Sequence, residues 1–207
     1  MNRRSNLQTG EGLRSILIAA ALLFMVNSGF TQSVPTENLY LGQTPPGNTP
    51  EVFPLSVKQG FFAAERIAIS NDGREIYYSE LKGYYPNTGE SIKKYSFSGG
   101  KWIGPITLFE GYAAPALSVT GDTMYVETNF ETYISEKNGS GWTKPINFGT
   151  VIDFGLGSWG PWVTPDDKYL FYSTGTKREY SDVSVYWVRI DGLIDSLKNI
   201  SIANSIK

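Results

Sequence analysis

Three segments of the chain can be laid over one another, and this self-similarity constrains the fold more than any other feature. They are Ile69-Ser70-Asn71-Asp72-Gly73-Arg74-Glu75-Ile76-Tyr77-Tyr78, Leu117-Ser118-Val119-Thr120-Gly121-Asp122-Thr123-Met124-Tyr125-Val126 and Val163-Thr164-Pro165-Asp166-Asp167-Lys168-Tyr169-Leu170-Phe171-Tyr172. Their hydroxyl residues Ser70, Ser118 and Thr164 lie 48 and 46 residues apart. Periods of this size belong to repeated supersecondary units that bury their apolar faces against one another. In each segment an apolar strand ends at Ser or Thr, a turn follows, and an aromatic or β-branched strand resumes, which predicts a hairpin. Gly73 and Gly121 suit a left-handed turn position, whereas the third copy places Asp167 there and predicts the most strained turn of the three.

A second, less regular hairpin is predicted after each of the first two. Ser91-Ile92-Lys93-Lys94-Tyr95-Ser96-Phe97 leads to Lys101-Trp102, and Glu131-Thr132-Tyr133-Ile134-Ser135 leads to Gly141-Trp142. The third copy retains Val183-Ser184-Val185-Tyr186-Trp187-Val188. Trp102-Ile103-Gly104-Pro105-Ile106 and Trp142-Thr143-Lys144-Pro145-Ile146 repeat one connection, in which a proline that cannot donate to a ladder marks an edge strand. Four strands per unit and three units make an all-β chain. After Asp191 as a cap, Leu193, Ile194 and Leu197 share one helical face and predict a short C-terminal helix on the last unit.

These hairpins, with Tyr40-Leu41-Gly42-Gln43-Thr44-Pro45-Pro46-Gly47, Pro50-Glu51-Val52-Phe53 and the closing Tyr169-Leu170-Phe171-Tyr172 and Val185-Tyr186-Trp187-Val188, resemble the WD40-like PD40 repeats of TolB-type bacterial propellers. The resemblance covers residues 40–198 and implies β-propeller-like blades serving as a platform for partners. About three four-stranded repeats are recognisable, fewer than the roughly four blades of a closed ring, so an incomplete or open propeller is expected. An open arc leaves apolar blade faces uncovered and favours a homodimer. Trp162 and Trp187, both in strands of the third unit, are expected to be buried, although an open arc would expose whichever of them faces the missing neighbour.

Upstream, Arg3, Arg4 and Arg14 precede an apolar run over 16–26 that is short for a membrane span, the pattern of a signal peptide over 1–32, with a retained signal anchor as the alternative. A Pro/Gly-rich segment, 33–60, has room for one or two strands; the repeat domain takes 61–198 and a tail 199–207. With no cysteine the exported chain is held by burial alone, which suits a periplasmic or secreted bacterial protein with no integral membrane segment after cleavage. The leader takes three of the 18 basic and one of the 20 acidic residues, leaving the remainder at −4 without a basic stripe, so nucleic acid is an unsuitable partner.

The lack of histidine and cysteine removes His-based triads, thiol nucleophiles and His or thiolate metal sites. No catalytic residue, metal ligand or cofactor is assigned. The aromatics Tyr84, Tyr85, Tyr112, Trp159 and Trp162, with Asp153, fall in or beside predicted loops and are the candidate binding residues; their alternative role is packing between sheets. Glu127, Glu131, Asp153, Asp166 and Asp167 offer the carboxylates a glycosidase needs, but no spacing in sequence sets two of them across a sugar. The glycine-rich loop over 148–160 lacks the lysine and helix of a phosphate cradle and reads as a close crossover into the third unit. The expected function is an exported binding or scaffold module that recognises an envelope protein or glycan through loops at one blade end. A carbohydrate-active enzyme, or a truncated propeller without independent activity, stands as the alternative.

Overall fold

The repeated hydroxyl closes each hairpin from both sides of its turn. In the computed structural model, which describes residues 34–84, 87–88, 90–152, 157–175 and 182–197, the carbonyls of Ser70, Ser118 and Thr164 accept the amides of Gly73, Gly121 and Asp167 at 2.8, 3.0 and 2.9 Å. Their hydroxyls accept the amides of Glu75, Thr123 and Tyr169 at 2.9, 3.1 and 3.1 Å, and donate to the carboxylates of Asp72, Asp122 and Asp166. A hydroxyl can accept and donate together, which is why Ser or Thr recurs at this position. Asp167 has φ 54°, the left-handed conformation that Gly73 (69°) and Gly121 (74°) adopt without a Cβ, so the third turn carries the expected strain.

Each hairpin founds one antiparallel sheet. The first is β1 (Phe62–Ile69), β2 (Glu75–Leu81), β5 (Ser91–Ser98) and β6 (Lys101–Glu110) in that order, with the small hairpin β3 (Gly83–Tyr84) and β4 (Asn87–Thr88) inserted between its middle strands. The second runs β7 (Ala113–Leu117), β8 (Thr123–Thr128), β9 (Glu131–Asn138), β10 (Gly141–Trp142), and β11 (Ile146–Asn147) also pairs with β9. Pro145 falls between β10 and β11 and splits that edge, while Pro105 is carried inside the edge strand β6. The third is β12 (Trp159–Val163), β13 (Tyr169–Thr174) and β14 (Ser184–Arg189). It has three strands among the described residues where four were expected, because after β14 the chain turns at Asp191 and Gly192 into a helix over 193–197.

The sheets pack face to face through side chains that alternate along each strand. Met124 and Val126 of β8 meet Tyr77 and Ile92 of the first sheet. Tyr125, between them in sequence, points the other way and joins Ile134, Phe148, Leu170 and Tyr172. The second sheet is therefore buried on both faces. Leu193, Ile194 and Leu197 of the helix pack on this second core, as their spacing predicted. Asp191 does not cap that helix with its side chain; its carboxylate grips Arg189 at 2.6 and 2.9 Å.

The segment over 34–58 adds no strand, contrary to expectation. It lies instead on the outer face of the first sheet, where Leu41 and Leu55 cover Ile76, Tyr78 and Tyr95. The indole of Trp102 donates to the Asn38 carbonyl at 2.7 Å, Tyr78 donates to the Ser56 carbonyl, and the Lys58 amide donates to Glu80 at 2.8 Å. Rich in Pro and Gly, it satisfies its polar groups on side chains rather than in a ladder.

The crossover into the third sheet passes as closely as its glycines suggested. A Cβ on Gly157, at φ 95°, would stand 2.1 Å from the Phe130 carbonyl oxygen, which accepts the Ser158 amide at 2.7 Å. The expected leader, 1–32, and the tail, 199–207, lie outside the described residues. Among the described residues no helix is long and apolar enough to cross a membrane.

Candidate functional site

The first strand of every sheet carries a bulge. Register shifts fall between Ala64 and Ile67 in β1, Ala113 and Ala116 in β7, and Trp159 and Trp162 in β12, with Glu65 (φ 66°), Ala114 (53°) and Gly160 (65°) left-handed. A bulge takes an N–H out of its ladder. The freed amide of Ala114 donates to Ser79 Oγ at 2.8 Å, and that of Gly160 to Glu127 Oε1 at 2.9 Å. Ser79 and Glu127 both stand nine residues beyond their repeat hydroxyl. One rule thus joins successive sheets, and by this rule Ser173 holds the same position on the third sheet.

Arg66 reaches from the first bulge to the Pro161 carbonyl of the third at 2.6 Å. Glu127 lies in this junction, where burial raises its carboxyl to about 7 against the pull of Arg66 and the Gly160 amide. Glu90 nearby is also raised, by burial first and then by the charge of Glu65.

The same repeat frame shows what is unusual about the third sheet. Two residues before the hydroxyl stand Ala68 and Ala116, and seven after it Tyr77 and Tyr125; these small and aromatic residues face the next sheet. On the third sheet the equivalent residues are Trp162 and Phe171, and opposite Phe171 lies Trp187, where the earlier sheets have Lys94 and Ile134. No burial results. Trp162 is 55% and Trp187 63% exposed, which corrects the expectation of burial for both: among the described residues no further sheet packs on their face. The rings form a row, with Trp162 on Phe171 at 5.8 Å, Phe171 on Trp187 at 5.9 Å and 20°, and Tyr169 on Trp187 at 5.0 Å. Val185, also exposed, extends it.

Of the candidate binding residues whose side chains are described, Tyr112, Trp159 and Trp162 have separate surroundings. Tyr112 is half-buried between the first two sheets, edge-on to Phe109 and to Tyr133 at 5.1 Å. Trp159 is half-buried against Phe130 at 6.0 Å. Tyr84 belongs to β3, while Tyr85 and Asp153 lie outside the described residues. Trp162 remains, with Phe171, Trp187 and Tyr169 as partners that loop-based reasoning missed; the alternation of Tyr169, Phe171, Val185 and Trp187 along two paired strands was the available signal.

The carboxylates are mostly committed to structure. Asp72 and Asp166 take the amides of Arg74 and Lys168 in their own turns, Asp122 collects the hydroxyls of Ser118, Thr120 and Thr123, and Glu131 accepts from Tyr133 and Asn147. Among the described residues no group of three or more acidic side chains is placed to hold a metal ion.

No protein-family model and no curated protein matches the chain. Among solved structures it is similar to one from Bacteroides uniformis ATCC 8492, described as a "putative 6-phosphogluconolactonase", at 19% identity and a TM-score of 0.37 over 61% of this chain. The match spans 37% of that protein, so this chain parallels little more than a third of its length.

Proposed function

We propose that the three sheets are blades of an incomplete β-propeller, exported to the bacterial envelope, which binds a glycan on the outer face of its last blade. The single observation carrying this reading is the substitution of Trp162 for the alanines that elsewhere let the next sheet approach. Ala68 and Ala116 permit face-to-face packing, whereas Trp162 stands out of the face and makes a poor seat for a fourth blade. Flat rings presented side by side suit the apolar faces of sugar rings, and aromatic area is the largest contact resource a side chain offers. A protein partner, a second copy included, is the competing occupant of the same face.

The test titrates purified mature protein with soluble peptidoglycan fragments and with a β-glucan, following tryptophan fluorescence. Binding that falls at least about tenfold in Trp162→Ala and Trp187→Ala supports the reading, tenfold being about 1.4 kcal/mol. Glycans that leave the fluorescence unchanged, in a protein that pairs through this face instead, overturn it.

A further inference from the structure

We infer that a second recognition site lies between the turns of the second and third sheets and accepts one pyranose-sized, hydroxyl-rich ring, neutral or carrying an amine. The ligand class rests on the glycan reading above, but the site shares no residue with the aromatic face. A cavity of about 360 Å³ opens there, lined by Ser118, Thr120, Asp122, Tyr125, Asp167 and Ile194. That volume sits at the small end of the range of ligand pockets, about 300–1,000 Å³.

Tyr125 marks it as a site. The residue is fully buried, its ring edge-on to Phe148, and its hydroxyl has no hydrogen-bond partner in the protein. Buried polar groups are almost always satisfied, so an orphan at the wall of a cavity points to a partner supplied from outside. The hydroxyl lies close enough to Asp167 and Asp122 that, after burial, their charges push its pKa far up, which keeps it a neutral donor. Asp122 is held below the usual carboxylate range, chiefly by the Thr120 hydroxyl, and stays ionised.

The opposing charge is already engaged. Lys137, on the rim, is bound to Glu75 at 2.9 Å, so the cavity keeps a negative field. Its occupant needs hydroxyl or ammonium donors for the carboxylates, an oxygen to accept from Tyr125, an apolar face for Ile190 and Ile194, and no negative charge. A neutral or amino sugar ring has all four. The neighbouring cavity between the first and second turns, about 400 Å³, is lined by Glu75, Lys94 and Lys137, which already pair with one another.

The experiment is ligand-observed NMR and calorimetry on the mature chain with methyl glucoside, glucosamine and glucuronate. Methyl glucoside and glucosamine bind, and glucuronate binds at least about tenfold more weakly because Asp122 and Asp167 repel it. Tyr125→Phe weakens the first two about tenfold while its melting temperature holds or rises, since it deletes an unsatisfied buried hydroxyl. Absence of binding by all three sugars, equal binding of glucuronate, or full binding by Tyr125→Phe overturns the site. The two sites fail separately: loss of polysaccharide binding in Trp162→Ala with sugar binding intact leaves this site standing, and sugar binding lost in Trp162→Ala but not in Tyr125→Phe removes it while sparing the face.

Discussion

Asp167, in the turn of the third hairpin, accepts the backbone amide of Thr120, in the turn of the second, at 2.8 Å, and its other oxygen takes the amide of Val119 at 2.7 Å. On the far side of the same turn Asn71 donates to the Val119 carbonyl, so the three turns are tied in series. The residue that breaks the glycine pattern is the one that makes this clamp.

Asp167→Gly therefore sets two effects against each other. Glycine relaxes a left-handed backbone by about 1 kcal/mol, while two hydrogen bonds to a charged group are lost, each worth about 1.5–3 kcal/mol. Net destabilisation of about 1 kcal/mol or more is expected in urea unfolding, with Asp167→Asn intermediate. A more stable glycine variant contradicts the clamp.

Glu127 sets a pH window. Below its ordinary 4.5 the carboxyl is protonated in both folded and unfolded chains; between 4.5 and about 7 the unfolded chain ionises first, so stability falls as pH rises and the loss is complete above about 7. Glu90, raised beside Glu65, acts in the same direction, and Arg66 offsets part of the effect. Glu127→Gln keeps an oxygen for the Gly160 amide, and it should flatten the profile and raise stability at pH 8 by up to about 3 kcal/mol. An unchanged profile in chemical denaturation would place that carboxylate in water.

Gly157→Ala should destabilise by about 2–4 kcal/mol, because its Cβ would meet the Phe130 carbonyl at 2.1 Å, backbone that cannot give way cheaply. Gly139→Ala is the control, also left-handed at φ 60° but facing open space, and should cost only about 1 kcal/mol. Equal losses by thermal melting would mean that conformation alone, and not the clash, decides.

Trp162 and Trp187 should bind glycan and not a second copy. The glycan-free wild-type chain is expected to run at monomer mass in light scattering, and Trp162→Ser with Trp187→Ser to leave that mass unchanged. Stability should change by less than about 1 kcal/mol, since both rings are more than half exposed. A wild-type chain that stays monomeric throughout removes the dimer as an occupant of this face.

The repeated hairpins were legible in the sequence because their cause is local. A hydroxyl that serves both flanks of a turn, a left-handed residue after it and apolar alternation beyond act within about ten residues, so the pattern Ser70, Ser118 and Thr164 determined three antiparallel units, as the equally local spacing of Leu193, Ile194 and Leu197 did the helix after them. Tertiary structure decided which faces those units cover. The segment over 34–58 caps the first sheet, the bulges at Glu65, Ala114 and Gly160 join successive sheets through Ser79, Glu127 and Arg66, and the third sheet is left with Trp162 and Trp187 in solvent. Burial is a property of the neighbour as much as of the residue. Tryptophan in an alternating strand reads as core, yet among the described residues nothing packs over the face that carries Trp162 and Trp187.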